Sequence, residues 1–147
     1  MRKDPVGSDP LDVAVAVIRR EGQFLIAQRK AEDSFGGCWE FPGGKLLPGE
    51  RLEDCIVREI REELDLQIAV DSKLEVVEHR YPHRVIRLHS FLCRVVAGQP
   101  RAIECAAWRW VPPSELDRYR FPPASGPLIA LLLGSDPGGS DPGGLRR

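Results

Sequence analysis

Between Gly43 and Leu66 the chain reads GGKLLPGERLEDCIVREIREELDL, and three carboxylates, Glu59, Glu62 and Glu63, crowd together behind Arg58. At about 100° per residue, a helical reading places all three within a roughly 100° arc on adjoining turns, where like charges repel. A hard divalent cation offsets that repulsion, since Mg²⁺ takes one or two carboxylates, some waters and the phosphate oxygens of a substrate. A cation held this way can bridge an acidic pocket to an anionic oxygen ligand and lower the pKa of a bound water. Arg58, one position before Glu59, can hold carboxylates by bidentate hydrogen bonds. REIREEL on its own also fits an ordinary solvated helix face, but that reading leaves the preceding GGK loop and Glu50 as coincidences.

Elements must be found to position these groups. Leu52, Ile56, Ile60 and Leu64 recur every four residues with Cys55 beside them, which predicts an amphipathic helix of about four turns starting near Arg51. The glutamates lie along the edge of its apolar stripe and around toward the opposite face, where a helix leaves the core and borders a cleft. Upstream, LDVAVAVIRR (Leu11 to Arg20) suits a strand covered on both faces. Glu21-Gly22 turns the chain into a second strand from Phe24 to Arg29, and KAEDSFGGCWEFPGG is loop by its Gly and Pro content. Downstream, Leu74 to Tyr81 and Arg84 to Val96 read as an antiparallel pair joined by a Pro-containing turn. Ala106 to Val111 reads as a further strand with both tryptophans on one side. Ser114 is a candidate cap for a short helix, SELDRY, and Ser125 with Pro127 a candidate start for the apolar helix PLIALLL. The order of elements predicts an α/β fold, a mixed sheet with helices against it.

At 147 residues and 42% hydrophobic content the chain can bury the core of one ordinary domain. Residues 11–134 are read as that domain, 1–10 as a flexible N-terminus, and 135–147, with SDPGG twice, as a flexible Gly/Pro/Asp-rich tail. The balance of 21 basic against 22 acidic side chains gives no whole-molecule attraction for nucleic acid or an anionic membrane. No apolar run spans a bilayer and MRKDPVGSDP lacks a signal-peptide stretch, so a cytoplasmic protein is expected. Cys38, Cys55, Cys93 and Cys105 stand far apart without a CxxC pair and are expected as free thiols; His79, His83 and His89 lack metal-ligand spacing and are expected as surface or core residues.

The stretch from Gly44 to Leu66 resembles the signature of the Nudix hydrolase family. Gly44, Glu50, Arg58, Glu59, Ile60, Glu62, Glu63 and Leu66 match at the required spacing, and Asp65 departs from it, standing where the family has Gly. The resemblance implies the Nudix fold, an α/β/α sandwich with a mixed sheet, and an Mg²⁺ or Mn²⁺ cofactor. It implies that Gly44 offers a backbone carbonyl to the metal, that Glu59 and Glu63 are ligands, and that Glu62 supports or joins them. Asp65 is then expected to take a left-handed cap at a cost below ~1 kcal/mol, with the chemistry intact.

From about Asp12 to Leu133 the chain is similar to the MutT branch, with WEFPGGK (Trp39 to Lys45) and FPPAS (Phe121 to Ser125) in register. That likeness implies that Arg29 contacts phosphate, that Arg84 faces the base, and that Glu104 is a further metal ligand or general base, while Phe41 and Ser125 help to bind substrate. In the branch pattern FPPA is followed by Asn, whose amide can donate to and accept from a purine edge; Ser125 has a single hydroxyl, which leaves the base open between oxidised guanine and cytidine types. The implied reaction is hydrolysis of a nucleoside triphosphate to monophosphate and pyrophosphate, in the service of nucleotide-pool sanitation. No stable nucleic-acid or membrane partner is expected, and the protein is expected as a monomer or homodimer. The alternatives are a non-catalytic module that binds a modified base, and a hydrolase of another nucleoside diphosphate-linked substrate.

Overall fold

The computed structural model describes residues 10–134. Apart from Pro10, the two segments expected to be flexible lie outside the described residues. In chain order the structure has β1 (Leu11–Arg20), β2 (Gln23–Gln28), β3 (Trp39–Glu40), β4 (Gly43–Lys45), α1 (Leu52–Leu64), β5 (Gln67–Tyr81), β6 (Arg84–Ala97), β7 (Ala107–Val111) and α2 (Gly126–Gly134), with 3₁₀ segments at Pro113–Arg118 and Pro123–Ser125.

β1 is the hub of a mixed sheet ordered β3-β2-β1-β6-β5, with β4 also paired to β1 and β7 to β2. It runs parallel to β6, from Leu11↔Ile86 to Ile18↔Cys93, and antiparallel to β4, from Val13↔Lys45 to Val15↔Gly43. Its Val/Ala run predicts cover on both faces, and both are covered. Ala14, Ala16 and Ile18 pack with Cys55, Ile56, Ile60 and Leu64 of α1, while Val15 and Val17 pack with Leu128 and Leu132 of α2. The result is an α/β/α sandwich. Each of the large buried side chains contributes roughly 1.5–3 kcal/mol of apolar transfer, so the stripe on α1 is what holds the helix against the sheet. Trp108 and Trp110 lie on the α1 side, both on the same face of β7 as their spacing requires.

Three local expectations are corrected. The stretch from Lys30 to Gly44 is not all loop, for it contains β3 and the start of β4. At Gly43 an added Cβ would lie 2.0 Å from the Ala14 carbonyl oxygen, so glycine here serves close backbone approach between strands and not a turn. Secondly, β5 begins at Gln67 and not at Leu74. Its first half joins a short apolar run, Ile68 to Val70, to an exposed polar run, Asp71 to Lys73, with register shifts between Val70 and Ser72 and between Lys73 and Val76, and so carries no clean apolar alternation. Thirdly, SELDRY forms a 3₁₀ segment entered from Pro112 without a side-chain cap, and Ser114 lies inside it. Ser125 likewise closes a 3₁₀ turn, donating its N–H to Pro122 O at 3.0 Å, and α2 starts one residue later.

All four cysteines are free; Cys38, Cys55 and Cys93 are buried and Cys105 is half-buried. His89 is tied to Asp12 at 2.8 Å, His79 packs edge-on against Tyr81, and His83 is exposed. Among the described residues no helix is long and apolar enough to cross a membrane.

Candidate active site

α1 is anchored at both ends, and the anchoring places its carboxylates. Pro48-Gly49 turns the chain with Gly49 at φ 77°, and Glu50 then accepts from the Leu47 N–H at 3.0 Å. Arg58 reaches back from the helix to Glu50 with two bonds, Nε at 2.7 Å and Nη2 at 3.0 Å, and with Nη1 it also meets Glu59 and Glu62, each at 3.2 Å. This guanidinium holds the Glu50 carboxyl down to about 2, with the Leu47 N–H adding to the effect. Glu50 is therefore a fixed anion that ties the loop to the helix. At the other end Asp65 takes the left-handed cap (φ 53°, ψ 41°) expected for the family's Gly, bonds Arg61 O, and pairs with Arg101 at 3.1 Å. The free carbonyls of the last turn are met by the incoming chain: Arg101 N–H donates to Leu64 O, and the N–H groups of Ile103 and Glu104 donate to Glu63 O. That capping brings Glu104 beside Glu63.

The electrostatics of the acidic groups differ sharply. Burial pushes the Glu63 carboxyl up to about 9, helped by the charges of Glu40, Glu59 and Glu104. Burial also raises Glu59, opposed by Arg58. Glu62 is half-exposed on the Arg58 side. Glu40 is the group that sequence reasoning missed. It lies on β3, opposite Ala27 of β2, where burial raises its pKa against the pull of Arg29 at 2.9 Å. It stands inside the WEFPGGK segment, whose Gly and Pro residues read as loop; only its pairing with β2 turns it toward Glu63.

Gly44 joins the cluster through what it lacks, since an added Cβ would lie 2.3 Å from the Glu59 carboxylate carbon. Its carbonyl oxygen faces the Cys55 thiol at 3.7 Å. Hard oxygen donors gathered around a partly buried, crowded carboxyl suit a divalent cation, with Glu59, Glu63 and Glu104 the residues able to hold it. Among the described residues no three acidic, His or Cys side chains are arranged as a closed ligand set. Arg58 draws Glu59 and Glu62 toward itself instead.

Beside this cluster a cleft of about 310 Å³ opens on the α2 side of β1. Arg29, Glu40, Phe41, Gly44, Lys45, Glu63 and Ser125 all line it, so one cavity joins acidic, basic and apolar groups from distant parts of the chain. Phe41 is a buried part of the wall, edge-on to Phe24 and tilted against Phe121. Arg29 is engaged with Glu40 and Ser34. Arg84 is not brought in: it is exposed at the start of β6, paired with Tyr81 across the hairpin, and the lining residues from this region are Tyr81, Ile86 and Leu88.

Residues 13–131 match the NUDIX domain family. The chain is 36% identical over 123 residues to the CTP pyrophosphohydrolase of Escherichia coli, covering 84% of this chain and 91% of that one. It is also 36% identical over 123 residues to the 8-oxo-dGTP diphosphatase of the same organism, covering 83% and 95%. Its fold matches a crystal structure of a MutT NUDIX hydrolase from Burkholderia pseudomallei with a TM-score of 0.66 and 32% identity, covering 74% of this chain and 88% of that one.

Proposed function

Because the chain belongs to the Nudix hydrolase family, we propose that it hydrolyses a nucleoside triphosphate to the monophosphate and pyrophosphate, with Mg²⁺ or Mn²⁺ as cofactor. The observation that carries this reading is Glu63. Its carboxyl lines an open cleft, yet burial and three neighbouring carboxylates push it up to about 9. Such crowding is unfavourable by itself and becomes favourable around a cation.

The chain's own groups divide the remaining work. Lys45 and Arg29 offer positive charge on the cleft wall for the phosphate chain. Glu104, exposed beside the end of α1, has the solvent access required of a proton acceptor. Glu50 fixes Arg58, and Arg58 holds Glu59 at the edge of the cluster, from which a bound cation would have to draw it. Phe41 gives the cleft an apolar wall, and Ser125 offers one hydroxyl to the base. A bound divalent cation would supply charge neutralisation for the polyphosphate and a more acidic water. Water's oxygen bonds to one of the two phosphorus atoms flanking the inner bridge while its proton passes to Glu104, the bridging P–O bond breaks, and the monophosphate and pyrophosphate separate.

The relatives' names include one cytidine nucleotide and one oxidised guanine nucleotide, and a single Ser125 hydroxyl suits neither exclusively. Pyrophosphate release from CTP, dCTP, 5-methyl-dCTP, dGTP and 8-oxo-dGTP, each with Mg²⁺ and with EDTA, tests the reading. Metal-dependent pyrophosphate from at least one of them is expected. Orthophosphate as the sole inorganic product would refute the proposed bond cleavage.

A further inference from the structure

Cys55 lies one turn before Glu59 on α1, fully buried where the helix meets β4. The other buried residues of this helix, Ile56, Ile60 and Leu64, are aliphatic; Cys55 alone among them carries a donor. β4 is three residues long, and among the described residues its strand pairing is to β1 alone. The thiol adds a second hold on it, donating toward Lys45 O at 3.5 Å and Gly44 O at 3.7 Å. It has one proton, so the two carbonyls share it. Arg58 Nη2 donates to Lys45 O at 3.4 Å and to the Cys55 sulfur at 3.8 Å. Among the side chains of the described residues, two therefore reach Lys45 O, and only Cys55 reaches Gly44 O.

No side chain separates Gly44 from the Glu59 carboxylate, whose carbon an added Cβ would meet at 2.3 Å. The Gly44 carbonyl thus stands among the oxygens that a cation at Glu59 would draw on. A carbonyl oxygen has two lone pairs, and a thiol is a weak donor. Such a bond sets the direction of the oxygen without exhausting its capacity to accept. We propose that Cys55 is a positioning residue for the divalent cation: its thiol holds the Gly44 carbonyl against α1 beside Glu59 and leaves that oxygen able to take the ion. The inference rests on the metal-dependent reading of the acidic cluster and deepens it. A purely apolar side chain at this place would fill the stripe equally well and leave the carbonyl unheld.

Mn²⁺ titrated into nucleotide-free wild type, Cys55→Ala and Cys55→Ser, with the free ion followed by electron paramagnetic resonance, tests this beside a melting curve for each protein. Cys55→Ala removes the donor and should weaken Mn²⁺ binding by about tenfold, the low end for losing a bond to a metal ligand. Cys55→Ser keeps a donor and should retain most of the affinity. Its hydroxyl is costlier to bury than a methyl group, so it should melt no higher than Cys55→Ala. Metal affinity and stability then rank the two variants in opposite orders, which core packing alone would not produce. Two results overturn the proposal: Mn²⁺ affinity unchanged in Cys55→Ala, or affinity that follows melting temperature across the variants. A wild type that binds no Mn²⁺ would bring down the metal reading along with it, whereas the first two outcomes leave that reading standing. The titration needs no turnover, so it succeeds or fails independently of whether pyrophosphate is released.

Discussion

A methyl group added at Gly44 would meet the Glu59 carboxylate at 2.3 Å, whereas one added at Gly43 would meet the Ala14 carbonyl oxygen at 2.0 Å. The first obstacle ends a flexible side chain and can swing aside; the second is backbone in the middle of the sheet. Gly44→Ala should therefore keep its melting temperature within a few degrees while activity falls ~10-fold or more, because Glu59 is displaced. Gly43→Ala should lose ~2 kcal/mol or more, as the pairing of β4 with β1 is forced apart. Melting curves and turnover on both variants check the contrast, and equal stability losses would refute it. Residues like Gly44, Glu59 and Glu63 were legible in the sequence because their spacing is itself a chemical pattern. Glu40 and the position of Arg84 were not. Glu40 acquires its place beside Glu63 from pairing with β2, and Arg84 sits outside the cleft because the hairpin turn directs Tyr81 inward instead.

Arg58 supplies the ion pairs that tie α1 to Glu50 in the loop before it. Arg58 bonds Glu50 twice and also reaches Glu59 and Glu62. Arg58→Lys retains the charge but cannot reproduce that fork. We predict a stability loss of ~1 kcal/mol and a ~10-fold lower turnover, since Glu59 loses its orienting partner. A double-mutant cycle with Glu50→Gln should show strong coupling, and additive losses would remove Arg58 from this role. The helix could be read from its four-residue stripe, which survives as the buried set Cys55, Ile56, Ile60 and Leu64. β1 was equally plain, since a strand buried on both faces leaves a continuous apolar run. β3, β4 and the first half of β5 were hidden for opposite reasons. The glycines of β4 resemble a turn although they serve close strand contact, and the apolar start of β5 is cut off from its second half by the exposed polar run Asp71 to Lys73.

Across the whole molecule, the two most strongly shifted carboxyls, Glu50 and Glu63, move in opposite directions and set a pH profile. Glu50 is held down to about 2 against an ordinary 4.5, so its stabilisation is present above 4.5 and is lost as pH falls toward 2. Glu63 is raised to about 9, so the folded chain keeps a proton that the unfolded chain releases above 4.5, and stability falls as pH rises from there toward 9. Metal-free protein should accordingly melt highest near pH ~5. Millimolar Mg²⁺, which favours the ionised cluster, should raise the melting temperature more at pH 8 than at pH 5. Melting scans across this range with EDTA and with Mg²⁺ measure both effects, and a metal-free melting temperature that climbs steadily to pH 9 would contradict the assignment. The parallel pairing of β1 with β6 sets a kinetic order as well. The β1–β2 and β5–β6 hairpins can zip from their own turns, but the central pair joins segments separated in sequence by β2, β3, β4, α1 and β5. Closing so long a loop costs entropy before any contact rewards it, which makes it the slow event in folding. The cleft takes its walls from β1, β4 and β6, so it exists only after that event. A nucleotide thus arrives too late to guide the chain to its fold, and acts instead on how long the finished fold survives.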